Sequence, residues 1–160
     1  KKAIQNYTDA WSPFNKQIIQ KADLSDAMLS TVGHLDSAMH VNKLPRDLTV
    51  YSGMNPDHSK IVRENPIVHH PSFMSTSISL SKARAFADRG HPGVNGDIVA
   101  IHLPKGHSGI YAGDMSSIPS EKELILPRHT NLIIDPHKKE VVYDMNSKQK
   151  FLIHHAYPKV

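Results

Sequence analysis

Cysteine is absent from the 160 residues, which excludes disulfides, thiolate metal sites and a cysteine nucleophile together. The same absence fits a reducing cytoplasm. No apolar run approaches the length of a membrane-spanning helix, so no membrane partner is expected. No glycine-rich phosphate fingerprint follows any predicted strand, and a nucleotide site in this chain has to be built in some other way. A block of like charge is missing too. The formal net charge is +4 with the bases scattered, which suits an anionic ligand without marking a nucleic-acid surface. The N-terminus shows no charged-apolar-small pattern, and opening on Lys1-Lys2-Ala3-Ile4 without methionine reads as a piece cut from a longer polypeptide.

What is present suits one globular domain over residues 1–160, with 39% hydrophobic and 21% charged residues, too rich in apolar groups for a disordered chain. Residues 2–42 read as three or four short helices. Ile4, Tyr7, Trp11, Phe14, Ile18 and Ile19 recur at helical spacing, Ser12-Pro13 reads as a cap and first-turn proline, and Leu24, Met28, Val32, Leu35 and Met39 continue the stripe with a break at Gly33. From Leu48 the period changes to two. Leu48-Thr49-Val50-Tyr51-Ser52, closed by Gly53, reads as a strand, and residues 55–71, holding Pro56, Pro66 and Pro71, read as a long loop. Phe73-Met74-Ser75-Thr76-Ser77 is a second strand, followed by a short helix over 82–89 capped by Ser81 and stopped by Gly90. Further strands are expected at 98–103, 122–126, 131–134, 140–143 and 151–155, with turns at Pro104-Lys105-Gly106, Asp135-Pro136-His137 and Asn146-Ser147. Helices in front and mostly hairpin-linked strands behind describe an α+β domain.

Glu121-Lys122-Glu123 opens a strand, where alternation places both glutamates on one face at about 6 to 7 Å and turns Lys122 away. An isolated pair of this kind is commonly a solvated strand edge. This pair, however, follows a polar loop over 112–120 and precedes the apolar run Leu124-Ile125-Leu126, which puts the acids at the mouth of a buried strand. Paired carboxylates there serve enzymes that break glycosidic bonds through an oxocarbenium-like state, glycoside hydrolases among them. Cleavage of the nicotinamide–ribose bond of NAD is the same chemistry. Ser75-Thr76-Ser77 offers two hydroxyls on one strand face and a third on the other; Ser75, if beside Glu123, orients that carboxylate. Twelve histidines invite a metal site, but His69-His70 and His154-His155 are adjacent pairs whose members face opposite ways on a strand, and no H-E-x-x-H occurs. No metal is expected.

Taken in order, these segments resemble the R-S-E class of ADP-ribosyltransferases, the class of clostridial binary toxins and many phage and bacterial effectors. The likeness covers nearly the whole chain: Ala3-Ile4, Tyr7-Thr8 and Asn15 for the opening helix, Leu48-Thr49-Val50-Tyr51 for the first core strand, Ser75-Thr76-Ser77 for the S-T-S strand and Glu121-Lys122-Glu123 for the E-x-E. The resemblance implies an α+β fold with two antiparallel sheets enclosing an NAD cleft, and transfer of ADP-ribose to arginine of a target protein. It implies Glu123 as the catalytic acid on the ribose 2′-hydroxyl, Glu121 as the residue orienting the acceptor, and 112–120 as the loop that recognises the target. Tyr51, Ser52, Gly53, Thr76 and Ser77 line the cofactor site by the same likeness, Phe86 covers the nicotinamide and Arg89 reaches the phosphates. One departure stands out. The family pattern reads Tyr-Arg-Gly where this chain has Tyr51-Ser52-Gly53, a loss of about 1.5 to 3 kcal/mol of phosphate binding unless another cation replaces it. Arg89 is the first candidate, then Arg46, Arg63 and Arg84; a catalytically silent protein-binding module is the reading if none does. Within the class, the chain resembles the Alt-type enzymes of T-even-like phages, which implies carriage in the phage particle, action in the host cytoplasm and host RNA polymerase as a target.

Overall fold

The computed structural model describes residues 4, 26–54, 56–87, 97–113, 122–144 and 149–159. Helix α1 (Asp26–Val41) is followed by β1 (Leu48–Gly53), helix α2 (Pro56–Glu64), β2 (Ile67–His70), β3 (Met74–Ser77), helix α3 (Leu80–Ala87), β4 (Ile98–Leu103), β5 (Ile110–Tyr111), β6 (Glu123–Leu126), β7 (Thr130–Asp144) and β8 (Gln149–Pro158). The α+β class is as expected. The strands, however, hydrogen-bond as one sheet of eight in the order β2-β7-β8-β4-β1-β3-β6-β5, where two sheets were expected. All pairs are antiparallel except β4 with β8. Its two halves meet at β1 and β3 through a single register pair, Tyr51 with Ser77.

Strand alternation sorts the apolar residues onto the two faces of the sheet. Val50, Met74, Val99, Ile101, Leu124, Leu126, Leu132 and Ile134 join Val62 of α2 in one cluster, so both halves of the sheet contribute to the same core. On the other face, Val32, Leu35 and Met39 of α1 pack with Ile4, Phe73, Ile110 and Ile125, while Leu80 of α3 packs with Tyr51, Ile98, Ala100, Phe151 and Ile153. The Arg128 guanidinium binds the Asp36 carboxylate and so ties α1 to the turn after β6.

Four sequence expectations are corrected. Helix α1 runs through Gly33, because the flanking stripe of Val32, Leu35 and Met39 is buried and outweighs one unfavourable residue. The expected loop over 55–71 holds α2 and β2; Pro56 sits at the helix start, where a missing N–H costs nothing. The cap of α3 is Ser79 rather than Ser81, since the Ala83 N–H donates to the Ser79 carbonyl at 3.2 Å. Asp135-Pro136-His137 is a register irregularity inside the long strand β7 and not a turn between two strands. The first helices of residues 2–25, the stop at Gly90 and the Asn146-Ser147 turn lie outside the described residues, Ile4 excepted.

Candidate active site

The register aligns Tyr51 of β1, Ser77 of β3 and Glu123 of β6 in one row across three adjacent strands, at the point where the two halves of the sheet join. Glu123 is only 6% exposed. Directly opposed residues of an antiparallel pair project from the same face, so Ser77 and Glu123 stand side by side. Ser75 lies opposite Ile125 and is therefore a diagonal neighbour of Glu123 on that face, not the residue beside it. Thr76 projects the other way, where its hydroxyl donates to the Leu124 carbonyl at 2.7 Å and fastens β3 to β6. Ser77 is held as well: its hydroxyl oxygen accepts from the Ser79 N–H at 3.0 Å, at the entrance to α3.

Glu123 opens its strand abruptly. Lys122, immediately before it, has a φ of 49°, left-handed for a residue with a side chain, so β geometry begins only at Glu123. Glu121, expected to share a face with Glu123 by strand alternation, lies outside the described residues. The Lys122 carbonyl accepts from Ile78 N–H at 3.2 Å and the Glu123 carbonyl from Ala112 N–H at 2.9 Å, so backbone bonds from both flanks fix the entry to β6. Strained residues of this kind concentrate at functional sites. Gly113, just past β5, has a φ of 45°, and a Cβ there would stand 2.8 Å from the Tyr111 ring. Of the loop expected over 112–120, residues 114–120 lie outside the described residues, as does Arg89. Phe86 belongs to α3.

Ser52 stands opposite Val99 and shares its strand face with Val50, away from the row of Tyr51, Ser77 and Glu123. Beside it lies a polar group that the sequence did not announce. Asp97, 1% exposed, precedes β4 and accepts from Arg63 Nε and Nη2 at 2.7 and 2.6 Å and from His154 Nε2 at 2.7 Å. Its N–H donates to Ser59 Oγ at 2.9 Å and its carbonyl accepts from Met54 N–H at 2.7 Å, so α2, β8 and the end of β1 converge on one residue. Burial alone would push the Asp97 carboxyl up; the hydrogen bonds from His154 and Arg63, with the charge of Arg63, outweigh burial and hold it below the usual carboxylate range. Of the cations considered for the missing arginine, Arg63 is thus engaged by Asp97, Arg84 lies over the Phe151 ring at 4.7 Å, and Arg46 is exposed ahead of β1. Among the described residues no group of three histidine, aspartate or glutamate side chains is arranged to hold a metal.

The sheet thus sets a hydroxyl-rich strand against a strand that opens on a buried glutamate, in a mixed α+β fold. The family model for ADP-ribosyltransferase exoenzymes matches residues 1–157, and the chain belongs to that family. It is 27% identical over 138 residues to the NAD(+)–arginine ADP-ribosyltransferase EFV of Enterococcus faecalis, a match covering 83% of this chain and 28% of that protein's length. Among solved structures, Plx2a, an ADP-ribosyltransferase toxin of Paenibacillus larvae, superposes with a TM-score of 0.79 at 20% identity, covering 99% of this chain and 85% of the toxin. BECa of the binary enterotoxin of C. perfringens, solved with NADH, gives 0.75 at 21% identity over 99% of this chain and 42% of that one. These likenesses establish the fold.

Proposed function

We propose that this chain is an NAD-dependent mono-ADP-ribosyltransferase that modifies arginine on a target protein. The observation that carries the reading is the alignment of Ser77 with a buried Glu123 at the junction of the sheet halves. Family membership and the arginine specificity in the name of the Enterococcus relative support it. In this reading Glu123 holds the ribose 2′-hydroxyl and stabilises positive charge as the C1′–nicotinamide bond breaks, the bonding electrons leaving with nicotinamide. A guanidino nitrogen then bonds to C1′ and gives up a proton, with Glu121 orienting it. Ser77 supplies a hydroxyl beside the acid and Ser75 one diagonal to it on the same face. Tyr51, Gly53 and Phe86 complete the cofactor site, Ser52 and Thr76 project from the other face of the sheet and contribute by backbone alone, and Arg89 is the cation for the phosphates, since Arg63 and Arg84 have other engagements. The finer reading, an Alt-type phage enzyme carried in the particle and acting on host RNA polymerase in the host cytoplasm, rests on the residue resemblance alone.

The test is transfer of labelled ADP-ribose from NAD to a bacterial lysate, with and without excess free guanidino compound. Labelled protein that the guanidino compound competes away supports arginine transfer. NAD binding without nicotinamide release supports the second reading, a silent NAD-site module, which Ser52 in the family's arginine position favours. RNA polymerase left unlabelled in a lysate whose other proteins are labelled removes the finer assignment only.

A further inference from the structure

On the face of the sheet that carries Tyr51, four side chains from four adjacent strands form one hydrogen-bonded line. Thr49 Oγ1 of β1 lies 3.1 Å from His102 Nδ1 of β4, His102 Nε2 lies 2.7 Å from His155 Nδ1 of β8, and His155 Nε2 lies 2.6 Å from Glu140 Oε1 of β7. The two imidazoles stack at 5.0 Å with planes 10° apart, and the Tyr157 ring stacks on His102 at 5.1 Å. We propose that Thr49, His102, His155 and Glu140 are a proton-ordered clamp that accepts one extra proton intact and opens on the second, so that acid breaks the side-chain tie between β4 and β8 while His102 keeps its bond to Thr49 of the strand carrying Tyr51.

The order of the protons follows from the end of the line. An ionised carboxylate only accepts, so His155 carries its proton on Nε2 and donates it to Glu140. The Nδ1 of neutral His155 is then bare and accepts from the Nε2–H of His102, whose own bare Nδ1 accepts from the Thr49 hydroxyl. Every donor meets an acceptor, and the line runs from Thr49 to Glu140. One added proton on His155 Nδ1 reverses the inner part: that N–H donates to His102 Nε2, the proton of His102 passes to its Nδ1, and Nδ1–H donates to the Thr49 oxygen while the hydroxyl proton turns away. All three contacts survive with one positive charge held beside Glu140. A second proton places N–H against N–H across the 2.7 Å between the rings, and that contact has to break.

The surroundings oppose the second proton. Besides Glu140, β7 presents Lys138, whose ammonium donates to Tyr157 Oη at 3.2 Å, and Asp135, which stands opposite His155 in register. Asp47, ahead of β1, lines the same hollow as Thr49 and His102. Burial, then the charges of His155 and Lys138, hold the His102 imidazole below its ordinary range against the pull of Glu140. The folded chain therefore refuses a proton that the unfolded chain takes up below about pH 6.5. The stability from this source is complete above that pH and lost as pH falls below it. Thr49 is two residues from Tyr51 on the same strand face, so the clamp and the candidate active site share β1.

Two measurements on the 160-residue chain test this. Nitrogen-15 imidazole spectra at neutral pH are expected to show both His102 and His155 protonated at Nε2 and bare at Nδ1; a His102 protonated at Nδ1 at neutral pH overturns the proposal. In melts between pH 7.5 and 5, His102→Phe, which keeps a stacking ring but takes no proton, is expected to lose less Tm on acidification than the parent. Equal losses overturn it. If His102→Phe does not fold, the imidazole spectra of the parent followed through the same range decide: the 2.7 Å contact has to be lost while the fold persists, and its survival until global unfolding contradicts the clamp.

Discussion

Asp97 shows what a single buried charge asks of its neighbours. At 1% exposure it keeps its charge only because Arg63 and His154 together supply three charge-assisted or strong hydrogen bonds. Its folded pKa is lowered, so the stability it contributes is present above about pH 3.9, the unfolded value, and is lost as pH falls through the lower folded one. Asp97→Asn is expected to cost about 1 to 3 kcal/mol at pH 7, since Arg63, 49% exposed, regains water while fully buried His154 cannot. Urea melts at pH 7 and pH 3 check both parts: the gap between variant and parent narrows in acid. No sequence signal marked Asp97, a lone acid before an apolar strand, because its partners come from helix and strand positions 34 residues before and 57 after it. Glu123 was legible because, unlike Asp97, it comes with a second acid, Glu121, two residues earlier at the mouth of an apolar run; its neighbour was not, since pairing it with Ser77 rather than Ser75 needs the register. Glu121→Gln is expected to abolish arginine modification while sparing part of the NAD hydrolysis, water needing less orientation than a guanidinium; parallel assays of protein labelling and nicotinamide release separate the two, and equal losses remove Glu121 from the acceptor role.

At the scale of elements, the strands β1, β3, β4 and β6 were legible because their apolar or alternating runs end on glycine, serine or proline. Elements written against local propensity were not. Proline was read as a breaker at 56 and 136, yet Pro56 begins α2 and Pro136 sits in the irregular part of β7, two positions that do not need its N–H. β5, two residues long, is too short to leave a pattern. Gly33 was read as a helix break, but the burial of Val32, Leu35 and Met39 outweighs one unfavourable residue. Because nothing lies within 4 Å of a Cβ at Gly33, Gly33→Ala is expected to stabilise the chain by about 0.5 to 1 kcal/mol, read as a higher Tm. A lower Tm means that α1 is not helical through that point in solution.

At the scale of the whole molecule, one continuous sheet performs what was expected of two, because its halves share a core but meet through the Tyr51–Ser77 pair alone. A ligand bound at that junction touches both halves and stabilises the folded state as a unit. NAD at a hundred times its Kd is expected to add about 2.7 kcal/mol, roughly 5 to 10 °C in Tm, to a Glu123→Ala chain that cannot consume it, whereas simple sugars add nothing. Protection by a sugar instead of NAD points to a glycoside hydrolase. The most direct test of the central claim, that Glu123 is the catalytic acid of an NAD-cleaving transferase, is nicotinamide release from NAD by the parent chain, Glu123→Ala and the isosteric Glu123→Gln, with Tm measured alongside. Release by the parent is expected, with a fall of about 10²- to 10³-fold or more in both variants at a retained Tm; near-normal release by either folded variant contradicts that role for Glu123.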